Sequence, residues 1–328
     1  MPETPRAASQ RSTLTPRTAF VATFCSLLWS GAYVTGKIAI GTPDAPGFGP
    51  FRLAFFRFGV AGLLLAAWLL WRNRAALSVR REDYGAFFRL ALLGMGLTYV
   101  FNYGGLALSS GTAAALIMAS EPVWIAALAV VFLKERLTVP RLFGIVFGLT
   151  GAVTVVLSTQ KSGGAGGTFP LLGNILMVLS LLFEAGAVLT VKRLTARYSG
   201  LTIVTYEFLL GSLLLAPFAV WETVANGTAH PTTGAWWAFA YLLTGCTLIA
   251  YPLWFRLLET TDASDVTLFI FLQPVVGTLI GVALLHEPFT AWAAIGAFLV
   301  LIGVWNLTAS GGARSEEPLG GVGHESVS

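Results

Sequence analysis

The chain has 328 residues, of which 55% are apolar and only 11% charged, against roughly 25% charged in an ordinary soluble domain. The net charge of +4 leaves no basic face once the apolar runs are set aside, which excludes a nucleic-acid-binding module. Cys25 and Cys246 both fall inside apolar runs and the three histidines (His230, His286, His324) are scattered, which excludes a disulfide framework and leaves no metal-ligand set.

In chain order, residues 1–18 form a polar tail carrying Arg6, Arg11 and Arg17 with a single acid, Glu3, a composition of disordered segments. A basic tail before an apolar run resembles a secretory leader. Trp29 and Lys37 in or at the end of that run, and the lack of a small-residue cleavage pattern after it, mark it instead as the first membrane span. Ten spans of about twenty apolar residues are expected, the length that crosses roughly 30 Å of hydrocarbon at 1.5 Å per residue. They lie near 19–37, 51–71, 89–107, 112–133, 142–158, 171–191, 200–221, 236–256, 266–285 and 291–309. Ser109-Ser110-Gly111 forms a tight hairpin between the third and fourth, and Glu259 to Asp265 stands at the matched place between the eighth and ninth. Lys161 to Thr168 is a glycine-rich linker.

The fourth and fifth spans occur twice. Shifted by 152 positions without a gap, Ser109 to Gly151 falls on Thr261 to Gly303. Pro122 then lands on Pro274, Glu135 on Glu287, Thr138 on Thr290, Gly144 on Gly296 and Gly151 on Gly303. Five such coincidences indicate an internal duplication. Gly31 to Lys37 in the first span likewise matches Gly186 to Lys192 in the sixth. The expected division is a tail over 1–18, a first repeat over 19–158, a linker over 159–170, a second repeat over 171–309 and a tail over 310–328. With the N-terminus placed in the cytoplasm, sixteen of the twenty Lys and Arg residues fall on the inner side, so both termini are expected inside. Five spans per repeat is an odd number, so the second copy enters the membrane inverted. Inverted repeats recur in secondary transporters, because equivalent halves can exchange conformations about a shared site.

Two five-helix repeats, each ending in P-x12-E-x2-T-x5-G-x6-G, resemble the drug/metabolite transporter superfamily and its EamA-type domains in particular. Arg57 in the second span resembles the basic residue that first-half EamA domains often carry there. The resemblance covers about residues 19–309. It implies an all-α polytopic protein of ten helices around a central cavity, and export or exchange of small metabolites, often amino acids. One departure is Pro288, which stands where the first half has Arg136.

The chemistry rests on ionisable groups at membrane depth, which usually face a cavity or a partner because each costs at least a few kcal/mol there. Glu121 lies nine residues into the fourth span, Glu184 about thirteen into the sixth, Glu207 about seven into the seventh and Arg57 six into the second. For Arg57 and Glu121 a substrate or coupling role stands beside a structural ion pair, which would form if the second and fourth spans adjoin. Glu207 lies closer to the inner interface, where it could reach water. Lys37 and Glu184 join the candidate binding set. Trp29 and Trp124, near mid-depth, line a cavity or fill the helix-facing core. Pro122 and Pro274 are expected to kink their helices in mid-membrane, with Glu121 and Gln273 directly before them; such breaks mark transporter sites or merely shape packing. Glu135, Glu287, Thr138 and Thr290 sit at span ends, where an acid and a hydroxyl satisfy free N–H groups of the next helix.

No phosphate-binding glycine loop with its lysine is present, so direct ATP use is not expected. The reading is a secondary transporter of the inner membrane without cofactor, catalytic or metal residues. Its partners are a small-molecule substrate and the lipid bilayer, not nucleic acid, and a homodimer is left open. The alternative is a membrane-embedded enzyme acting on a lipid or small metabolite; against it, the histidines do not converge. A channel or sensor fits the duplicated architecture less well.

Overall fold

The structure is a computed structural model that describes residues 15–133, 139–158, 168–195, 197–227, 230–260, 268–286 and 289–312. Glu135, Thr138, Glu287, the glycine-rich linker over 159–167 and both polar tails outside these bounds therefore lie beyond the described residues. Regular structure among the described residues is helical, apart from one bridge between Gly41 and Pro46. Seven segments are long and apolar enough to cross a membrane: Pro16–Ile40, Pro50–Arg72, Arg81–Leu108, Gly111–Leu128, Pro170–Ala187, Gly200–Asn226 and Thr233–Leu257. Three shorter apolar helices occupy Leu142–Leu157, Leu272–Leu285 and Ala291–Asn306.

Several spans are interrupted. The first consists of α1 (Pro16–Ser30) and α2 (Ala32–Ile40), parted at Gly31. A side chain at Gly31 would stand 2.8 Å from the Tyr241 hydroxyl, which itself donates to the Leu28 carbonyl at 2.6 Å. The tyrosine thereby satisfies a carbonyl near the end of α1. The second span is the continuous α3 (Pro50–Arg72). In the third, α4 (Tyr84–Leu90) and α5 (Thr98–Leu108) are joined by a π-helical segment over Ala91–Leu97. The eighth repeats this pattern, with α11 (Thr233–Tyr241) and α12 (Ala250–Thr260) flanking a π-helical Leu242–Ile249. Thr98 and Thr247 each turn a hydroxyl back to the carbonyl five residues earlier, Leu93 and Leu242. Such π segments concentrate at functional sites.

The fourth span is α6 (Gly111–Met118) and α7 (Glu121–Leu133). Pro122 is therefore not a bend inside one helix. The helix stops and restarts, and the proline stands in the first turn of α7, where its missing N–H costs nothing. Likewise Pro274 is the third residue of α13 (Leu272–Leu285), after a 3-10 turn over Leu268–Phe271. The remaining helices are α8 (Val139–Ser158), α9 (Pro170–Leu194), α10 (Gly200–Asn226) and α14 (Ala291–Gly312).

The most extensive helix contacts all join the first half of the chain to the second: α8 with α14, α3 with α10, α5 with α9, α2 with α11, α6 with α13 and α1 with α12. In the first of these the duplicated glycines meet. A Cβ on Gly151 would lie 2.6 Å from the Val300 nitrogen and 2.7 Å from the Gly296 oxygen. One on Gly303 would lie 2.6 Å from the Gly148 Cα and 2.7 Å from the Gly144 oxygen. The helices are thus antiparallel, each copy of the motif seated on the other. Such backbone approach supplies packing that lipid cannot replace.

The α3–α10 pair is tied at both ends. Glu222, 3% exposed on α10, accepts from the backbone N–H groups of Phe51 (3.1 Å) and Arg52 (2.9 Å), satisfying two free donors at the start of α3 and favouring its dipole. Gly49 makes this fit possible. Its φ is +77°, and a Cβ there would lie 2.5 Å from Glu222 Oε1. At the other end, Asp83 accepts from the Tyr198 hydroxyl at 2.7 Å and from Arg197 at 3.1 Å. Tyr206 and Thr202 donate to the Leu77 and Ala76 carbonyls.

The glycine seam yields a direct test. Gly303→Leu should destabilise the protein by about 1–3 kcal/mol through overpacking, read as a lower thermal unfolding midpoint in detergent. Val153→Leu, on the outward face of α8 (54% exposed), should leave the midpoint unchanged.

Candidate functional site

Arg57 lies on α3 two turns from its start and is 4% exposed. Its Nε donates to Thr247 Oγ1 at 2.8 Å, and one Nη donates to the Tyr103 hydroxyl. The guanidinium carbon also sits 4.9 Å from the Phe58 ring centroid. Thr247 belongs to the π segment of the second half and Tyr103 to α5 of the first, so the charge is held between the halves. Among the described residues no carboxylate lies within salt-bridge distance of it. The remaining donors of the five in its fork have no hydrogen-bond partner there.

The expected Arg57–Glu121 pair does not form, because the second and fourth spans do not adjoin. The helix α3 packs on α10 and α5, whereas α7 packs on α9 and α8. Glu121 is half-buried in the first turn of α7. Glu184 is on α9, against which α7 packs, and Glu207 is on α10. Glu184 Oε2 is sealed from solvent and accepts no hydrogen bond among the described residues. Glu207 Oε1 occupies the place that a side chain on Gly94 would take, in the π segment of the first half and beside Ala187.

Arg57 and Glu207 are therefore counterparts. Each stands seven residues past the first residue of its helix, and each meets the π segment of the opposite half. Gly59 faces Ser212, and Gly62 faces Leu209, which sets α3 and α10 antiparallel. On that register Arg57 and Glu207 lie about 10 Å apart along the helix axes at 1.5 Å per residue. The site is dipolar, with a cation towards one end and carboxylates towards the other.

The other candidates are placed as follows. Lys37, in the last turn of α2, donates to the carbonyls of Leu106 (2.9 Å), Ala107 (2.9 Å) and Ser109 at the end of α5. A cation there complements the helix dipole and offsets the cost of burying it. The Trp29 indole donates to the Cys246 carbonyl at 2.9 Å, and its ring stands edge-on to Tyr251 and Trp254. Trp124 donates to Ser120 Oγ at 3.1 Å, and that hydroxyl donates to the Ile117 carbonyl at 2.6 Å. Ser120 thus bridges the break between α6 and α7. Gln273 is half-buried beside the buried Pro274. Thr290 accepts from the Ala293 N–H at 3.1 Å as the first turn of α14 begins.

Thr247, Tyr103, Asn102 and Glu222 escaped the sequence reading. Hydroxyls and a lone amide inside apolar runs give no periodic signal, and Glu222 reads as an interfacial residue beside Trp221. No cluster of three or more metal-ligating side chains occurs among the described residues.

The comparisons agree with this architecture. A profile of the EamA-like transporter family matches residues 17–157 and again residues 171–309. An uncharacterized transporter of Archaeoglobus fulgidus is 28% identical over 284 residues, covering 86% of this chain and 94% of that protein. A probable terminal-alkyne amino-acid exporter of Streptantibioticus cattleyicolor is 28% identical over 281 residues, covering 84% and 88%. A solved crystal structure at 20% identity superposes with a TM-score of 0.62 over 93% of this chain and 100% of that one, a likeness of fold. The chain belongs to the EamA-like transporter family, and it is a membrane transporter rather than an enzyme.

Proposed function

We propose that this protein is a secondary transporter of the inner membrane that exports or exchanges a small organic metabolite, an amino acid or a related compound, by alternating access. In this reading the two repeats insert in opposite orientations, with ten spans around a central cavity and both termini in the cytoplasm. The observation that carries it is the buried Arg57, held by Thr247 and Tyr103 of opposite halves with donors to spare and no carboxylate within salt-bridge distance among the described residues. A guanidinium with a free fork is suited to a substrate carboxylate, and Glu121 is suited to an ammonium group or a proton. The name of the Streptantibioticus relative supports an amino compound as cargo. The extensive contacts between halves give the two repeats a shared surface across which one can rock against the other.

Counterflow of radiolabelled amino acids into proteoliposomes tests the function. Arg57→Gln should reduce exchange about ten- to hundredfold, the equivalent of losing charge-assisted hydrogen bonds worth about 1.5–3 kcal/mol. Undiminished exchange in this variant would remove Arg57 from the site.

Orientation is tested separately in a background lacking Cys25 and Cys246, both buried. Asp44→Cys should react with an impermeant thiol reagent added outside intact cells, and Ser78→Cys should not. The reverse pattern would overturn the placement of the termini.

A further inference from the structure

We infer that Glu184 and Glu207 receive a second, side-chain positive charge of the cargo while Glu121 takes its α-ammonium, so that the transported amino compound is dibasic. The inference rests on the transport function proposed above and narrows its substrate class.

Three observations meet at one place. The carboxylates come from three helices, α7, α9 and α10; α7 packs on α9, and Glu207 Oε1 lies beside Ala187, about one turn after Glu184 on α9. Among the described residues no Lys, Arg or His lies within salt-bridge distance of any of them. The tyrosines Tyr33, Tyr99 and Tyr251 also stand within electrostatic range of Glu184. Independently of the acids, Asn102 on α5 is 3% exposed, and its Oδ1 has no partner. Its Nδ2 reaches Ser180 Oγ at 3.4 Å and Met118 Sδ at 3.3 Å. Ser180 lies one helical turn before Glu184 on α9, and Met118 ends α6 just before the break that Glu121 follows. Asn102 Oδ1 is therefore a second buried, unused acceptor, on a side chain whose Nδ2 reaches the helix that carries Glu184.

A buried acceptor without a donor is costly, and clustered like charges add to that cost. An ammonium group, with three donors and no acceptor, satisfies such a site, and aromatic neighbours favour it further. Arg57 does not serve, since no carboxylate lies within salt-bridge distance of it among the described residues and it stands about 10 Å from Glu207 along the helix axes. If Arg57 takes the cargo's carboxylate and Glu121 its α-ammonium, Glu184, Glu207 and Asn102 still lack a donor. The axial separation of the two poles, about 10 Å, calls for an extended molecule with a charge at its far end.

L-lysine and L-norleucine differ at the end of the side chain by one ammonium group, which makes them the probes. In counterflow with the purified full-length protein in liposomes, lysine should exchange roughly ten- to hundredfold faster than norleucine, and Glu184→Gln should collapse that ratio towards one. Glu207→Gln gives the same reading should the first variant fail to fold. Norleucine exchange equal to or faster than lysine exchange overturns the inference while leaving the amino-acid transporter intact. Proton flux accompanying norleucine, without a lysine preference, also overturns it by assigning the cluster to protons. Exchange of neither compound overturns the amino-acid reading and this inference with it.

Discussion

The close approach of α8 and α14 through their duplicated glycines is the contact on which the rest of the structure depends. In a bilayer no hydrophobic force drives helices together, because lipid is as apolar as leucine; surfaces must fit more closely to each other than to lipid. Gly151 on Gly296, and Gly303 on Gly144 and Gly148, achieve this by bringing backbone against backbone. The spacing of seven residues keeps both glycines of a copy on one helix face. Antiparallel pairing lets that face meet its own duplicate. The motif is repeated because the interface is built from two copies of one surface.

The same logic runs through the other contacts. Each half supplies partners for the charged groups of the other: Thr247 for Arg57, Gly94 for Glu207, Glu222 for the start of α3. Neither repeat buries its polar groups alone, so the halves form one structural unit. The π segments sharpen the point. A π turn widens the helix and re-aims its side chains, and here one such turn presents the hydroxyl that meets Arg57 while the other clears the space that Glu207 enters. The candidate groups Arg57 and Glu207 meet the opposite half where its regular helix is interrupted.

Much of this was legible in the residues. Apolar runs located the seven long spans and the three shorter apolar helices, with edges that differ by up to eight residues, since length and hydropathy are dictated by bilayer thickness, and proline, threonine and glycine exposed the duplication. What was not legible depends on which helices adjoin. Arg57 and Glu121 read as opposite charges inside the membrane, yet α3 packs on α10 and α5 rather than α7, so the pair does not form. Lys37 reads as a cation at membrane depth, but only the fold brings the end of α5 to it. The π segments, the stop at Gly31 and the restart at Glu121 follow from packing against Tyr241 and from Ser120, which one-dimensional periodicity does not encode.

The central claim is that one buried guanidinium, held between two interlocked repeats, anchors the cargo by its carboxylate. The most direct test is an electron cryo-microscopy map of the purified protein in nanodiscs with a bound transported amino acid. The account predicts density for a carboxylate on the free fork of Arg57, with Thr247 and Tyr103 still in place and the amino end directed towards Glu121 and Glu184. Cargo density away from Arg57, or an Arg57 paired with a glutamate in the bound state, would contradict it.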